Sequence, residues 1–305
     1  KNLSANGFVE ATNSWMWSIK VQGEMAALAM VQVAGLEALA KLYRADNRLE
    51  KAAEAQALAE QTRIAIPHLF FDEQANAYRM GTHSQREKNR YPIDANSWAV
   101  LYGIGSDQNQ LGSLAFLDDP RIQSTAGLRC YWPPFEESDG DWFLADKTKW
   151  MHNETVWPYP NCYAAWANFH QGRVGRGLEI LKAFHRPHIE QGYPTLWEVM
   201  MPNGDTPIKS HGNLGSLCHA WGGLGTYLLP RYILGIQPAS PGFESIAIHP
   251  DLGPLDHAHG SIPTPRGLVT VELERKGNAL SGKATLPKGT QVDSIGDGIE
   301  ITYGN

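Results

Sequence analysis

The stretch from Gly23 to Tyr43, GEMAALAMVQVAGLEALAKLY, restricts what this chain can fold into more than any other part of it. Only Glu24, Gln32, Glu37 and Lys41 carry side chains that strongly prefer water, so a helix built from it is apolar around most of its circumference and belongs inside an all-α assembly. Asn47 follows, with Glu50 three positions on, the pattern of a capping box opening a second and wetter helix, NRLEKAAEAQALAEQTRIAI. A buried helix followed by a charged one is an α/α pair. Asp94 is placed to cap DANSWAVLYGI, and residues 161–171, 173–184 and 215–234 keep helical spacing between Gly and Pro breaks.

Beyond Gly235 the pattern changes. GIQPASPGFESIAIHP is a Pro-punctuated bridge, and LVTVELER then alternates apolar and polar residues with the period of a strand. Turns at Lys276-Gly277-Asn278 and Gly296-Asp297-Gly298 separate it from LSGKAT and IEITY, which suggests antiparallel hairpins. The expected organisation is a helical domain over 1–237 and a small antiparallel β domain over 238–305. At 305 residues the chain is long enough for two units, and 10 Trp, 11 Tyr and 9 Phe supply the core.

A net charge of −6 lacks the basic footprint selected by phosphate backbones or anionic membranes, so neither nucleic acid nor membrane is an expected partner. Cys130, Cys162 and Cys218 are odd in number and contain no CxxC pair, and they read as small buried apolar residues. The sequence leaves compartment open, with secretion or a periplasmic setting compatible. Sequons at Asn2-Leu3-Ser4 and Asn153-Glu154-Thr155 permit glycosylation without settling it.

The long connection from Tyr131 to Asn161 gathers Trp132, Trp142, Trp150 and Trp157 beside Glu136, Glu137, Asp139, Asp141 and Glu154. A connection of this length inside a domain is usually functional. Trp next to carboxylate suits a sugar, whose C–H faces stack on rings and whose hydroxyls seek acceptors. Glycoside hydrolysis needs two carboxyl groups, a proton donor and a base or nucleophile. Glu198, beside Trp197 after a turn in an otherwise apolar stretch, is the first candidate; the competing reading is a first-turn helix glutamate. Trp15, Trp17, Trp98, Trp157 and Trp197 are candidate sugar-binding rings or core anchors, with Glu154 a candidate sugar-binding carboxylate. His257 and His259, with Asp256 and His249 nearby, lack an evident fourth ligand and second shell, so no metal site is expected there, and no cofactor motif is present.

TLWE at 195–198, SLCHAWGGLGTYLLPRYILGIQPASPGFESIAIHP at 216–250 and HGSIPTPRGLVTVELE at 259–274 resemble, in order and spacing, the C-terminal half of the α-L-rhamnosidases of glycoside hydrolase family 78. Residues 6–43 resemble the family's mid-barrel helices. The resemblance implies an (α/α)6 barrel, or part of one, followed by a small antiparallel β-sandwich, and inverting release of terminal α-L-rhamnose from a glycoside or polysaccharide. It places Glu198 at the general base and His219, in the HAW motif, against sugar hydroxyls. The family's Arg-Asp-Glu-type general-acid motif does not occur in this sequence, and about seven helices are legible where a barrel needs twelve. The chain is therefore expected to be a fragment of a longer enzyme. Alternatives are one half of a two-chain enzyme, for which the missing N-terminal part would be a partner, another (α/α)6 carbohydrate hydrolase, or a non-catalytic carbohydrate-binding relative. Were the acid internal, Asp139, Asp141 and Glu154 would be the candidates.

Overall fold

The structure is a computed structural model that describes residues 3–16, 19–136, 139, 153, 155–206 and 215–304, with backbone alone for 12–16 and 19–20. In chain order the elements are β1 (Glu10–Met16), β2 (Ile19–Glu24), α1 (Ala26–Ala45), α2 (Leu49–Phe70), β3 (Phe71–Asp72), β4 (Ala77–Tyr78), α3 (Gln85–Lys88), β5 (Tyr91–Pro92) and α4 (Ile93–Leu101). There follow α5 (Asp107–Leu117), β6 (Gln123–Ser124), β7 (Gly127–Leu128), β8 (Tyr131–Trp132), α6 (Pro158–His170), α7 (Val174–Glu190) and α8 (Gly225–Leu228). The last strands are β9 (Ile236–Pro238), β10 (Ser245–Ile248), β11 (His257–Thr264), β12 (Gly267–Lys276), β13 (Ala279–Leu286), β14 (Gln291–Ile295) and β15 (Ile299–Tyr303). Two compact units emerge, one of Lys1–Ala167 with Ile180–Gly222, the other of Asn168–Glu179 with Gly223–Asn305.

In the first unit α1 buries Ala26, Ala27, Ala29, Met30 and Val33 in a core shared with Ile66 and Phe70 of α2 and with Ala95, Trp98 and Ala99 of α4. The expectation of burial on all sides is corrected, since Val31, Leu39 and Leu42 of the same helix are exposed. Asn47 does not cap α2. It adopts a left-handed φ of 56° and closes the end of α1, its N–H donating to the Arg44 carbonyl, a conformation that Asn tolerates better than most residues. Asp94 likewise is not the cap of α4, whose N-cap is Pro92. It sits in the first turn with its carboxylate accepting from the Ala95 N–H.

Two asparagines perform the same task on different helices. Asn96 of α4 accepts from the Tyr78 N–H and donates to the carbonyls of Tyr78 and, four residues back, Pro92. Asn161 of α6 accepts from the Leu128 N–H and donates to the carbonyls of Leu128 and, four residues back, Trp157. Each side chain is fully buried and supplies the backbone partners that a two-residue strand lacks at its edge. The rings two positions on, Trp98 and Tyr163, meet edge to face at 5.3 Å. The short motif Asn-x-aromatic-Ala, at 96–99 and 161–164, is thus an internal structural repeat.

In the second unit the sheet β11-β12-β13-β15 buries Val269, Val271, Leu273, Ala284 and Leu286 on one face, as the alternation in LVTVELER requires. The hairpin at Gly277 forms, β12 pairing antiparallel with β13. The turn at 296–298 does not make a hairpin. It separates β14, which lies parallel to β10 in a three-stranded sheet, from β15, which lies parallel to β13, so both sheets are mixed. The expected helix over 215–234 is also broken up: a 3₁₀ stretch (Ala220–Leu224) precedes α8, and a π-turn (Leu229–Ile233) follows it. Three glycines and Pro230 interrupt regular pairing there.

Candidate active site

Glu198 and His219 come together. Glu198 lies on an irregular segment after α7, and its backbone N–H donates to the Ser216 carbonyl at 2.9 Å while its Oε2 accepts from the Ser216 N–H at 2.7 Å. This two-way link fixes the carboxylate to the segment that carries His219, whose own N–H donates to Leu196. The His219 Nδ1 then stands 3.8 Å from Glu198 Oε2. Both side chains keep partial access to solvent, 19% for Glu198 and 24% for His219. Oε1 of Glu198 makes no hydrogen bond among the described residues, so one carboxylate oxygen remains for water or substrate. Among the described residues the buried His219 Nε2 has no hydrogen-bond partner, an unmet polar group of the kind that a ligand hydroxyl satisfies.

An aromatic wall stands beside this pair. Trp221 contacts the His219 ring at 4.5 Å and the Tyr159 ring at 5.1 Å, yet is 49% exposed, so it offers a ring face to an incoming molecule. Burial, followed by the negative charge of Asp94, raises the Tyr159 phenol well above its ordinary range, so its hydroxyl keeps its proton for donation. Gly222 lets the backbone approach α6, where a Cβ would press on Pro158, and Cys162 Sγ contacts the Trp221 and Gly222 carbonyls. Trp221 was not among the sequence candidates. The HAW motif was the available signal, but which of its two large side chains would be exposed is settled by packing.

The other candidates fall elsewhere. Trp197 is 1% exposed, packed on Tyr193 and His188, and Trp157 is 2% exposed with its Nε1 donating to Thr155 Oγ1. Trp98 is a core ring against Tyr163. None of these three presents a face for stacking, and they act as the packing behind the wall. Asp139 Oδ2 accepts from Arg90 at 2.5 Å and from the Glu136 N–H at 2.7 Å, so this oxygen is engaged in holding its own turn. Trp17, Asp141 and Glu154 lie outside the described residues, as does the side chain of Trp15. Cys130 and Cys162 are buried, whereas Cys218 is exposed, against expectation. The Asn153 amide turns inward, donating to the Phe135 carbonyl and accepting from the Phe135 N–H, with Thr155 buried beside it. Among the described residues no group of three or more His, Cys, Asp or Glu side chains is arranged to hold a metal ion.

Residues 235–293 match the sequence model of the bacterial alpha-L-rhamnosidase C-terminal domain. An alpha-L-rhamnosidase of Formosa agariphila is 32% identical over 111 residues, which cover 34% of this chain and 11% of that protein. A second, from Alteromonas sp., is 30% identical over 112 residues, covering 32% and 12%. Over these stretches the chain is similar to α-L-rhamnosidases. It spans about a tenth of the length of these curated relatives in the matched region. The fold agrees: the GH78 family rhamnosidase of Bacillus sp. GL1 superposes with a TM-score of 0.75 at 19% identity, over 99% of this chain and 30% of that one. The Streptomyces avermitilis alpha-L-rhamnosidase complexed with L-rhamnose gives 0.64 at 13% identity, over 95% and 25%. The Glu198–His219 pair thus sits in a fold that resembles these solved structures.

Proposed function

We propose that this chain supplies the base side of a glycoside hydrolase site that releases terminal α-L-rhamnose with inversion. The observation that carries the reading is the Glu198 carboxylate, held at one oxygen by the Ser216 N–H and open at the other, with a histidine beside it and a half-exposed tryptophan next in the wall. Glu198 Oε1 takes a proton from water as that water attacks the anomeric carbon, and the bond to the glycosidic oxygen breaks, that oxygen leaving with the aglycone and a proton from an acid on the opposite side. His219 Nε2 and the Tyr159 hydroxyl orient the sugar through its hydroxyls, while Trp221 covers an apolar face. The helical part, 1–237, is read as a portion of an (α/α)6 barrel and 238–305 as a β-sandwich. Resemblance to the family assigns the acid to an Arg-Asp-Glu-type motif, which does not occur in this sequence.

The test is Glu198→Gln in the enzyme, assayed on p-nitrophenyl α-L-rhamnoside. Turnover is expected to fall by at least about a thousandfold with rhamnose still bound, as when a base acting in the transition state is removed. Unchanged turnover removes Glu198 from the mechanism. Rhamnose binding without any product in the unmutated enzyme would instead identify a carbohydrate-binding relative.

A further inference from the structure

Behind Glu198 lies a pair of histidines that the site described above does not use. His185 and His188 stand one turn apart on α7, with His185 Nδ1 3.2 Å from His188 Nε2. The other nitrogen of His188, Nδ1, faces the Tyr193 carbonyl at 3.4 Å. A carbonyl only accepts, so His188 Nδ1 carries the proton, Nε2 of the neutral ring accepts, and His185 Nδ1 must donate to it. The two rings thus form a directional chain, His185 to His188 to the Tyr193 carbonyl.

This chain ends on the segment that holds the base. Tyr193 packs edge to face on Trp197 at 5.1 Å, and His188 contacts Trp197 from the helix at 6.1 Å. Trp197 is 1% exposed and His188 is 6% exposed. Trp197 immediately precedes Glu198, so the packing of its ring fixes where the Glu198 backbone begins. Phe184 closes the far side of His185 at 4.3 Å. On α7 itself Arg186 and Glu190 flank the pair, exposed and 3.7 Å from one another. From the 193–206 segment the ionisable groups are Tyr193, Glu198 and Asp205, the last hydrogen-bonded to Asn203. Among the described residues no carboxylate forms an ion pair with either imidazole.

We propose that the His185–His188 pair is a positioning device for the Trp197–Glu198 segment and that its protonation sets the acid limit of the site; this rests on Glu198 acting as the base. A proton added to His188 places a second N–H on Nε2, pointing at the His185 Nδ1–H. Two donors then meet head-on, and His185 can give way only by moving its own proton to Nε2. Burial and the neighbouring imidazole both oppose charge on His185, holding it down to about 4, so that ring is neutral in the working arrangement. Acid therefore breaks the chain and loosens the contact on Trp197.

Two readouts test this. Tryptophan emission of this chain, titrated between pH 7 and 4, is expected to show a step that is lost in Trp197→Phe and in His188→Gln. Glutamine can still donate to the Tyr193 carbonyl and accept from His185, but does not titrate. The acid limb of rhamnoside hydrolysis is expected to shift to lower pH by at least about half a unit in His188→Gln, while His188→Ala lowers kcat with KM nearly constant and is rescued by Gln. An emission step that persists in His188→Gln, or acid limbs that superpose, overturns the proposal. An emission step that behaves as expected in a protein that hydrolyses no rhamnoside upholds the link between the histidines and Trp197, and overturns the rhamnosidase reading instead.

Discussion

Replacing Asn161 by alanine tests the repeat found in the helical unit, because that side chain serves backbone that nothing else near it can serve. It accepts from the Leu128 N–H at 2.7 Å and donates to the Leu128 carbonyl at 2.9 Å and the Trp157 carbonyl at 2.8 Å. Leu128 is 1% exposed and Asn161 is fully buried, so water does not replace the lost partners. An unmet buried donor or acceptor costs about 1–3 kcal/mol. The two Leu128 groups then give a loss of about 2–6 kcal/mol, the Trp157 carbonyl keeping a contact from the Asn161 backbone N–H at 3.4 Å. Against the ~5–15 kcal/mol that stabilises a typical domain this is severe. Urea unfolding followed by circular dichroism measures it directly, and with a slope of about 2–3 kcal/mol per molar the midpoint falls by about 1–3 M. Asn96→Ala is expected to cost a similar amount, since Tyr78 loses the same two partners. A loss below about 1 kcal/mol at either position would show that the asparagine bridges do not hold the strands, and the repeat would lose its physical meaning.

Further outcomes follow from local geometry. Gly235 has φ of 73° and a Cβ there would fall into the His249–Pro250 peptide, whereas Gly277, at φ of 63°, has open space around it. Gly235→Ala is expected to cost over ~3 kcal/mol and Gly277→Ala about 1 kcal/mol in thermal unfolding, and equal losses would contradict the packing at Gly235. Trp221→Ala is expected to weaken rhamnose binding by about tenfold, as titration calorimetry would show, with the melting temperature nearly constant because the ring is half exposed; intact binding would remove Trp221 from the wall. His185 is held at about 4 against an unfolded value near 6.5, so its neutral burial contributes fully above ~6.5 and is lost as pH falls toward 4, by about 3 kcal/mol. His185→Gln is expected to flatten that part of the stability profile, and a profile of unchanged slope would contradict the assignment.

Much of the architecture is legible in the residues because it rests on short-range periodicity. Helix α1 follows from its apolar run and β12 from its alternation, since burying one face of either element requires that spacing. Asn47 and Asp94 show the limit of such reading. Both belong to types that cap helices, yet one takes a left-handed turn and the other sits inside the first turn, because a cap depends on where the chain enters the helix. The pairing of Glu198 with His219 is suggested by motif resemblance alone. Ser216, which ties the two segments together through its backbone, carries no sequence signal, as backbone bonds leave side-chain identity free.

The sequence by itself determined α1, α2 and the strand spacing of β12, and a resemblance to the α-L-rhamnosidases carried by TLWE, HAW and the strand-rich tail. Tertiary structure alone decided which aromatic residue faces out, Trp221 rather than Trp157, Trp197 or Trp98, because exposure depends on the elements packed around a ring and not on the ring. It also decided that Asn96 and Asn161 are equivalent. The partners of each lie 18 and 33 residues away in sequence, and closing those loops is the work of the whole core.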